Sequence, residues 1–148
     1  MIAVTSDHGD YMGDHWLGEK DLFHEPSVKV PLIIYDPSPE ADATRGTVCD
    51  ALVESIDLVP TFVEMAGGAP RNEHLEGLSL VPFLHGEAPE PWRDFVVSEY
   101  DYSMTAMAAK MGVNPKDARL FMLFDGRWKL THAELSLIHI SEPTRPID

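Results

Sequence analysis

Near its amino terminus the chain passes from apolar to densely polar within a few residues. Ile2-Ala3-Val4 leads into Thr5-Ser6-Asp7-His8-Gly9, and Asp10-Tyr11-Met12-Gly13-Asp14-His15-Trp16-Leu17-Gly18-Glu19-Lys20 follows. A short apolar run bounded by turn residues predicts a buried, central strand. Asp, His and Gly then fall at its carboxyl end, the edge of an open α/β sheet where ligands collect. Asp7 offers a hard anionic oxygen and His8 a borderline nitrogen, a pair suited to a divalent cation. Gly9 allows the backbone to turn sharply behind them. Lys20 returns a positive charge after a glycine-punctuated loop and suits an anionic substrate. Each piece also has a plainer reading. Asp-His-Gly after a strand is a common turn, His15 and His24 are ordinary loop residues, and a single lysine in a polar loop is usually solvated. The combination favours a site for a cation and an anion together.

The ordered residues carry a family resemblance. Thr5-Ser6-Asp7-His8-Gly9, Gly13-Asp14-His15 and Lys20 resemble the carboxy-terminal metal motif of the sulfatases, a family of the alkaline phosphatase superfamily. Glu25-Pro26-Ser27-Val28-Lys29-Val30-Pro31-Leu32-Ile33-Ile34 and Glu76-Gly77-Leu78-Ser79-Leu80-Val81-Pro82-Phe83-Leu84 continue it. His8 stands where many arylsulfatases have Asn. With Glu99-Tyr100-Asp101-Tyr102 after Pro91-Trp92-Arg93, this is similar to the phosphonate monoester hydrolase branch. The resemblance covers about Ile2 to Glu134. It implies the carboxy-terminal part of an alkaline-phosphatase-like α/β/α sandwich, followed by a small antiparallel subdomain.

The same resemblance implies a hydrolase of sulfate, phosphonate or phosphate esters. Asp7 and His8 would be metal ligands for one Mn2+, Ca2+ or Mg2+ ion, and Lys20 would contact the substrate anion. His15 lies close to the site in the motif. The family's nucleophile, a formylglycine matured from Cys within Cys-x-Pro-x-Arg, would lie upstream of Ile2. Cys49, the one cysteine, sits in Val48-Cys49-Asp50-Ala51 without that context, and reads as a small buried hydrophobe. The chain alone is therefore expected to be inactive. Two alternatives stand beside this reading: an aryl- or choline-type sulfatase, and a non-catalytic acidic module that binds metal.

Net charge excludes some partners. At −14 the chain is poorly suited to nucleic acid or to an anionic membrane, whose binding needs a basic surface. The expected partner is a small anionic ester, and the complete enzyme can be a homo-oligomer. No stretch approaches the roughly 20 apolar residues of a membrane helix. A basic region followed by an apolar one is not seen at the start, and cytoplasmic and periplasmic locations both remain open.

Along the chain, residues 1–90 are expected to form the carboxy-terminal part of the α/β core with the site loop, and residues 91–134 a small antiparallel β subdomain. Pro31–Tyr35 predicts a second buried strand and Thr47–Leu52 an edge strand. Ser55–Gly68 is the best helix, with Asp57 as its cap and Ile56, Val59, Phe62, Val63 and Ala66 as its core-facing side. Leu78–Leu84 and Met104–Met111 predict short helices, and Phe95–Tyr100 a strand. Asp125-Gly126 between Leu120–Phe124 and Arg127–Thr131 signals a two-residue hairpin. Residues 135–146 resemble the conceptual translation of a sequencing adapter, so 135–148 is set aside as a non-native tail.

Overall fold

The structure, a computed structural model, describes residues 1–71, 73–133 and 137–141. The chain divides into two compact units: Met1–Asp7 with Pro31–Arg93, and His8–Val30 with the chain from Asp94 onward. The predicted site loop thus leaves the first unit after Asp7 and folds with the second.

In the first unit, β1 (Ile2–Thr5) pairs antiparallel with β2 (Leu32–Tyr35). Branched side chains suit both strands to a pleated surface. The register sets Ile2 opposite Tyr35 and Val4 opposite Ile33, so these four share one face. That face is open, with Val4 54 % and Ile33 63 % exposed. The expectation of two buried strands is corrected accordingly: among the described residues no layer covers this side.

The predicted long helix is a 3₁₀ turn at Ser55–Asp57 running into α2 (Leu58–Met65), which ends before Gly67 at φ 81°. Asp57 does cap, but as the third residue of a reciprocal box. Glu54 accepts from its backbone, and Asp57 accepts from the Glu54 amide at 2.8 Å. The expected core face is wrong. Ile56, Val59 and Phe62 are exposed, whereas Asp57, Pro60 and Thr61 are fully buried.

Hydrogen bonding explains the inversion. Asp57 Oδ1 accepts from the Leu78 amide at 2.8 Å, and Thr61 Oγ1 accepts from the Leu80 amide at 2.9 Å while donating to the Asp57 carbonyl at 2.6 Å. Polar side chains must be inside to satisfy the backbone of the segment leading to α3 (Val81–Leu84). A Cβ on Gly77 would lie 2.1 Å from the Ile56 carbonyl oxygen, so only glycine permits this approach. Arg93 completes the cluster, donating to Glu54 Oε2 at 2.8 Å and to Asp57 Oδ1 at 2.5 Å. Elsewhere in the unit Asp36, also buried, accepts from the Ser38 amide and lies 2.9 Å from His85 Nε2. The Ser38 amide, with help from His85, holds the Asp36 carboxyl below the ordinary carboxylate range against the opposing effect of burial.

Thr47–Leu52 forms no strand, and Cys49 is exposed rather than buried. The Leu52 carbonyl is taken by the Trp92 indole N–H at 2.8 Å, not by a neighbouring strand.

The second unit is built on an antiparallel sheet in the order β3 (Val96–Asp101), β4 (Arg119–Phe124), β5 (Lys129–Ala133), β6 (Leu137–Ser141). The hairpin between β4 and β5 is longer than predicted. Phe124 pairs with Lys129, leaving a loop of Asp125, Gly126, Arg127 and Trp128. Asp125 Oδ1 accepts from the amides of both Arg127 and Trp128, an Asx turn that outcompetes the tighter form. Tyr102, Ala108 and Ala118 form the unit's buried cluster, with α4 (Ala106–Met111) contributing Ala108. Strand β6 falls within the adapter-like string; residues 134–136 and 142–148 lie outside the described residues.

Replacing Asp57 by Ala would take one of Arg93's two carboxylate partners and leave the Leu78 and Glu54 amides without acceptors. Breaking a buried pair in this way costs about 3–5 kcal/mol. Urea unfolding of Asp57→Ala is expected to show a loss of that size, and a loss below about 1 kcal/mol would contradict the account.

Candidate functional site

Asp7 follows β1 and is exposed at the end of the first unit, and His8 opens the second. The remaining candidates, His8, His15 and Lys20, all lie on the loop of the second unit, together with α1 (Glu25–Val28).

Two constraints shape this loop locally. Gly9 passes so close to α1 that a Cβ there would sit 1.8 Å from the Pro26 carbonyl oxygen. Its amide donates to the Ser27 carbonyl at 2.8 Å. Four non-glycine residues, Met12, His15, Trp16 and Glu19, adopt φ between 46° and 61°. Each such residue costs about 1–2 kcal/mol, and clusters of them mark functional segments. Met12 and Trp16 are 90 % and 100 % exposed, so burial of their own side chains does not offset that cost.

His8 is half-buried, and its Nδ1 lies 2.7 Å from the Gly9 carbonyl oxygen. With Nδ1–H as donor, the imidazole carries its lone pair on Nε2, the orientation a metal-binding histidine needs. The donor chemistry of Asp7 and His8 suits a divalent cation. Among the described residues, no three of His, Cys, Asp and Glu gather as a metal centre.

His15 stacks on His24, with ring centroids 4.2 Å apart and planes 16° apart. Buried Tyr11 sets its ring edge-on to both, and its hydroxyl lies 2.8 Å from His24 Nδ1. Burial, the largest cause, pushes the Tyr11 phenol above its ordinary value.

The Lys20 carbonyl accepts from the buried Ser27 hydroxyl at 2.8 Å. The sheet reaches the loop one residue on. Tyr100 donates to Asp21 Oδ1 at 3.0 Å, and Tyr102 donates to the Asp21 carbonyl. Burial, aided by the Asp21 charge, pushes Tyr102 up to about 12, so this hydroxyl stays a donor across the neutral range. Lys129, 5 % exposed, donates from Nζ to the Phe23 carbonyl at 2.8 Å and to Glu25.

No spacing pattern marks Ser27, Asp21 or Lys129. The strand Lys129-Leu130-Thr131-His132-Ala133 is too polar to signal that Lys129 is inside. Tyr100 and Tyr102 stand out in the sequence only as part of the Glu99-Tyr100-Asp101-Tyr102 motif.

The chain has relatives of known kind. Residues 13–135 match the family model described as N-sulphoglucosamine sulphohydrolase, C-terminal. The chain belongs to the sulfatase family. It is similar to the multifunctional alkaline phosphatase superfamily protein PehA of Trinickia caryophylli, 33 % identical over 136 residues, which are 89 % of this chain and 26 % of that protein. An arylsulfatase of Clostridium perfringens is 38 % identical over 103 residues, 69 % of this chain and 21 % of the enzyme. The phosphonate monoester hydrolase of Agrobacterium radiobacter superposes at a TM-score of 0.84 with 32 % identity, over 95 % of this chain and 28 % of that structure. The enzyme of Silicibacter pomeroyi does so at 0.84 with 34 % identity, again over 95 % and 28 %. The chain thus spans about a quarter of the length of these relatives. As predicted, it has the fold of the carboxy-terminal part of an alkaline-phosphatase-like α/β/α sandwich with a small antiparallel subdomain.

Gly9→Ala would force the loop off α1, because the obstructing atoms are backbone and cannot rotate aside. Overpacking of this kind costs about 1–3 kcal/mol. Hydrogen exchange of the Gly9–Ser27 segment should accelerate in the variant; unchanged protection would refute the tight approach.

Proposed function

We propose that this chain is the carboxy-terminal portion of a metal-dependent hydrolase that cleaves phosphonate or sulfate esters, its formylglycine nucleophile lying in the amino-terminal portion. The observation that carries the reading is His8, whose Nδ1 lies 2.7 Å from the Gly9 carbonyl oxygen; donating there would leave Nε2 as the ring's acceptor. Alongside it stands the likeness to two phosphonate monoester hydrolases over 95 % of the chain.

In this reading Asp7 and His8 are metal ligands. A carboxylate oxygen with one imidazole nitrogen accommodates Mn2+, Mg2+ or Ca2+. When bound, the cation acts as a Lewis acid and neutralises charge on the substrate's non-bridging oxygens. Lys20 lends an ammonium to the same tetrahedral anion, a point charge with three donors. No ion pair engages Lys20 among the described residues, so that charge is not spent within the loop. By the family motif His15 would lie near the site; its ring is stacked on His24. The chain's acidity fits a small substrate held by a cation and one lysine better than nucleic acid or an anionic membrane.

A sulfate ester is the second reading, favoured by the 38 % identity to the arylsulfatase of Clostridium perfringens. Both readings predict the same dependence on a longer chain. The 148-residue chain alone should give no turnover of either ester, with or without added Mn2+. The reading frame extended upstream should encode Cys-x-Pro-x-Arg and give an enzyme that loses activity on chelation. Which ester it prefers separates the two readings. Turnover by the 148-residue chain alone, or an extended frame without that motif, would sink the proposal.

A further inference from the structure

Lys20 is bracketed by hydroxyl donors from other segments. On its own residue, the carbonyl accepts from Ser27 Oγ at 2.8 Å. On the next, the Asp21 carbonyl accepts from Tyr102, and Asp21 Oδ1 accepts from Tyr100 at 3.0 Å. Ser27 and Tyr102 are buried, and Ser27 also receives the Gly9 amide through its own carbonyl. One serine therefore fixes both the peptide after His8 and the peptide of Lys20.

This precision is unusual for a loop. Loop backbones commonly solvate their carbonyls. Here two successive carbonyls are capped by buried side chains from α1 and from the end of the sheet. A lysine's four-carbon stem keeps its own rotamer freedom, so placing an ammonium against a tetrahedral anion depends on where its Cα is held. Site groups tolerate about 0.5 Å of misplacement before binding and rate suffer.

We infer that the hydroxyls of Ser27 and Tyr102 are positioning groups for Lys20, acting on substrate anion affinity only through that lysine. The inference rests on the proposed role of Lys20, and its test separates the two. In the full-length hydrolase carrying this segment, inorganic sulfate is titrated calorimetrically against Lys20→Met, Ser27→Ala, Tyr102→Phe, Ser27→Thr and the doubles with Lys20→Met. Thermal unfolding of each variant checks that it is folded.

Lys20→Met should weaken sulfate binding more than about tenfold, as loss of a charge-assisted contact does. Ser27→Ala and Tyr102→Phe should each weaken it about three- to tenfold, and should change it less than about twofold when Lys20 is already Met. Ser27→Thr, which keeps the hydroxyl, should restore affinity. Equal losses with and without Lys20 would overturn the positioning role, as would normal affinity in both hydroxyl variants. An unchanged affinity in Lys20→Met would instead remove the reading of Lys20, and the inference with it. Should Ser27→Ala fail to fold, Tyr102→Phe carries the same test, since it deletes one oxygen from a ring packed beside Ala108 and Ala118.

Discussion

A lysine ammonium inside a protein must find acceptors or lose its charge, because an isolated buried charge is far costlier than any single packing contact. Lys129 lies on β5 with its side chain inside, and its acceptors are the Phe23 carbonyl and Glu25, more than a hundred residues earlier. That requirement ties the sheet to the loop. It accounts for the loop's membership in the same compact unit as the strands, although β2, α2 and α3 intervene in sequence. Tyr100 near the end of β3 and Tyr102 just beyond it add donors at Asp21, close to the same place. The sheet thus holds the loop at Asp21, Phe23 and Glu25, on the same segment that carries His8, His15 and Lys20.

The first unit solves a different problem with the same kind of chemistry. Its α2 buries Asp57 and Thr61 and exposes Ile56, Val59 and Phe62. The buried polar groups satisfy the backbone that leads into α3, and Arg93 neutralises the carboxylate. Polar satisfaction outranks hydrophobic periodicity here, since a buried amide such as that of Leu80, left without an acceptor, would cost about 1–3 kcal/mol.

Much of this was legible in the residues, and the failures are instructive. The positions of β1 to β5, the capping role of Asp57 and the family all follow from local pattern, whereas the edge strand expected at Thr47–Leu52 does not form. The buried face of α2 did not, because periodicity counts apolar side chains and cannot see that Leu78 and Leu80 need acceptors. Residue type alone suggests a buried Cys49 and the Asp-Gly dipeptide alone a two-residue turn, and the structure has neither. For the candidate site, His8 and Lys20 stood out by type and spacing. Ser27, Asp21 and Lys129 did not, because their part depends on partners distant in sequence, and no spacing rule reaches from β5 to Glu25.

The central claim is that Asp7, His8 and Lys20 serve one cation and one tetrahedral anion. The most direct measurement is a crystal structure of the complete hydrolase grown with Mn2+ and inorganic sulfate, with the metal located by anomalous scattering. The account predicts manganese ligated by the Asp7 carboxylate and His8 Nε2, and sulfate within hydrogen-bond distance of Lys20 Nζ. Manganese bound elsewhere, with sulfate away from Lys20, would contradict it.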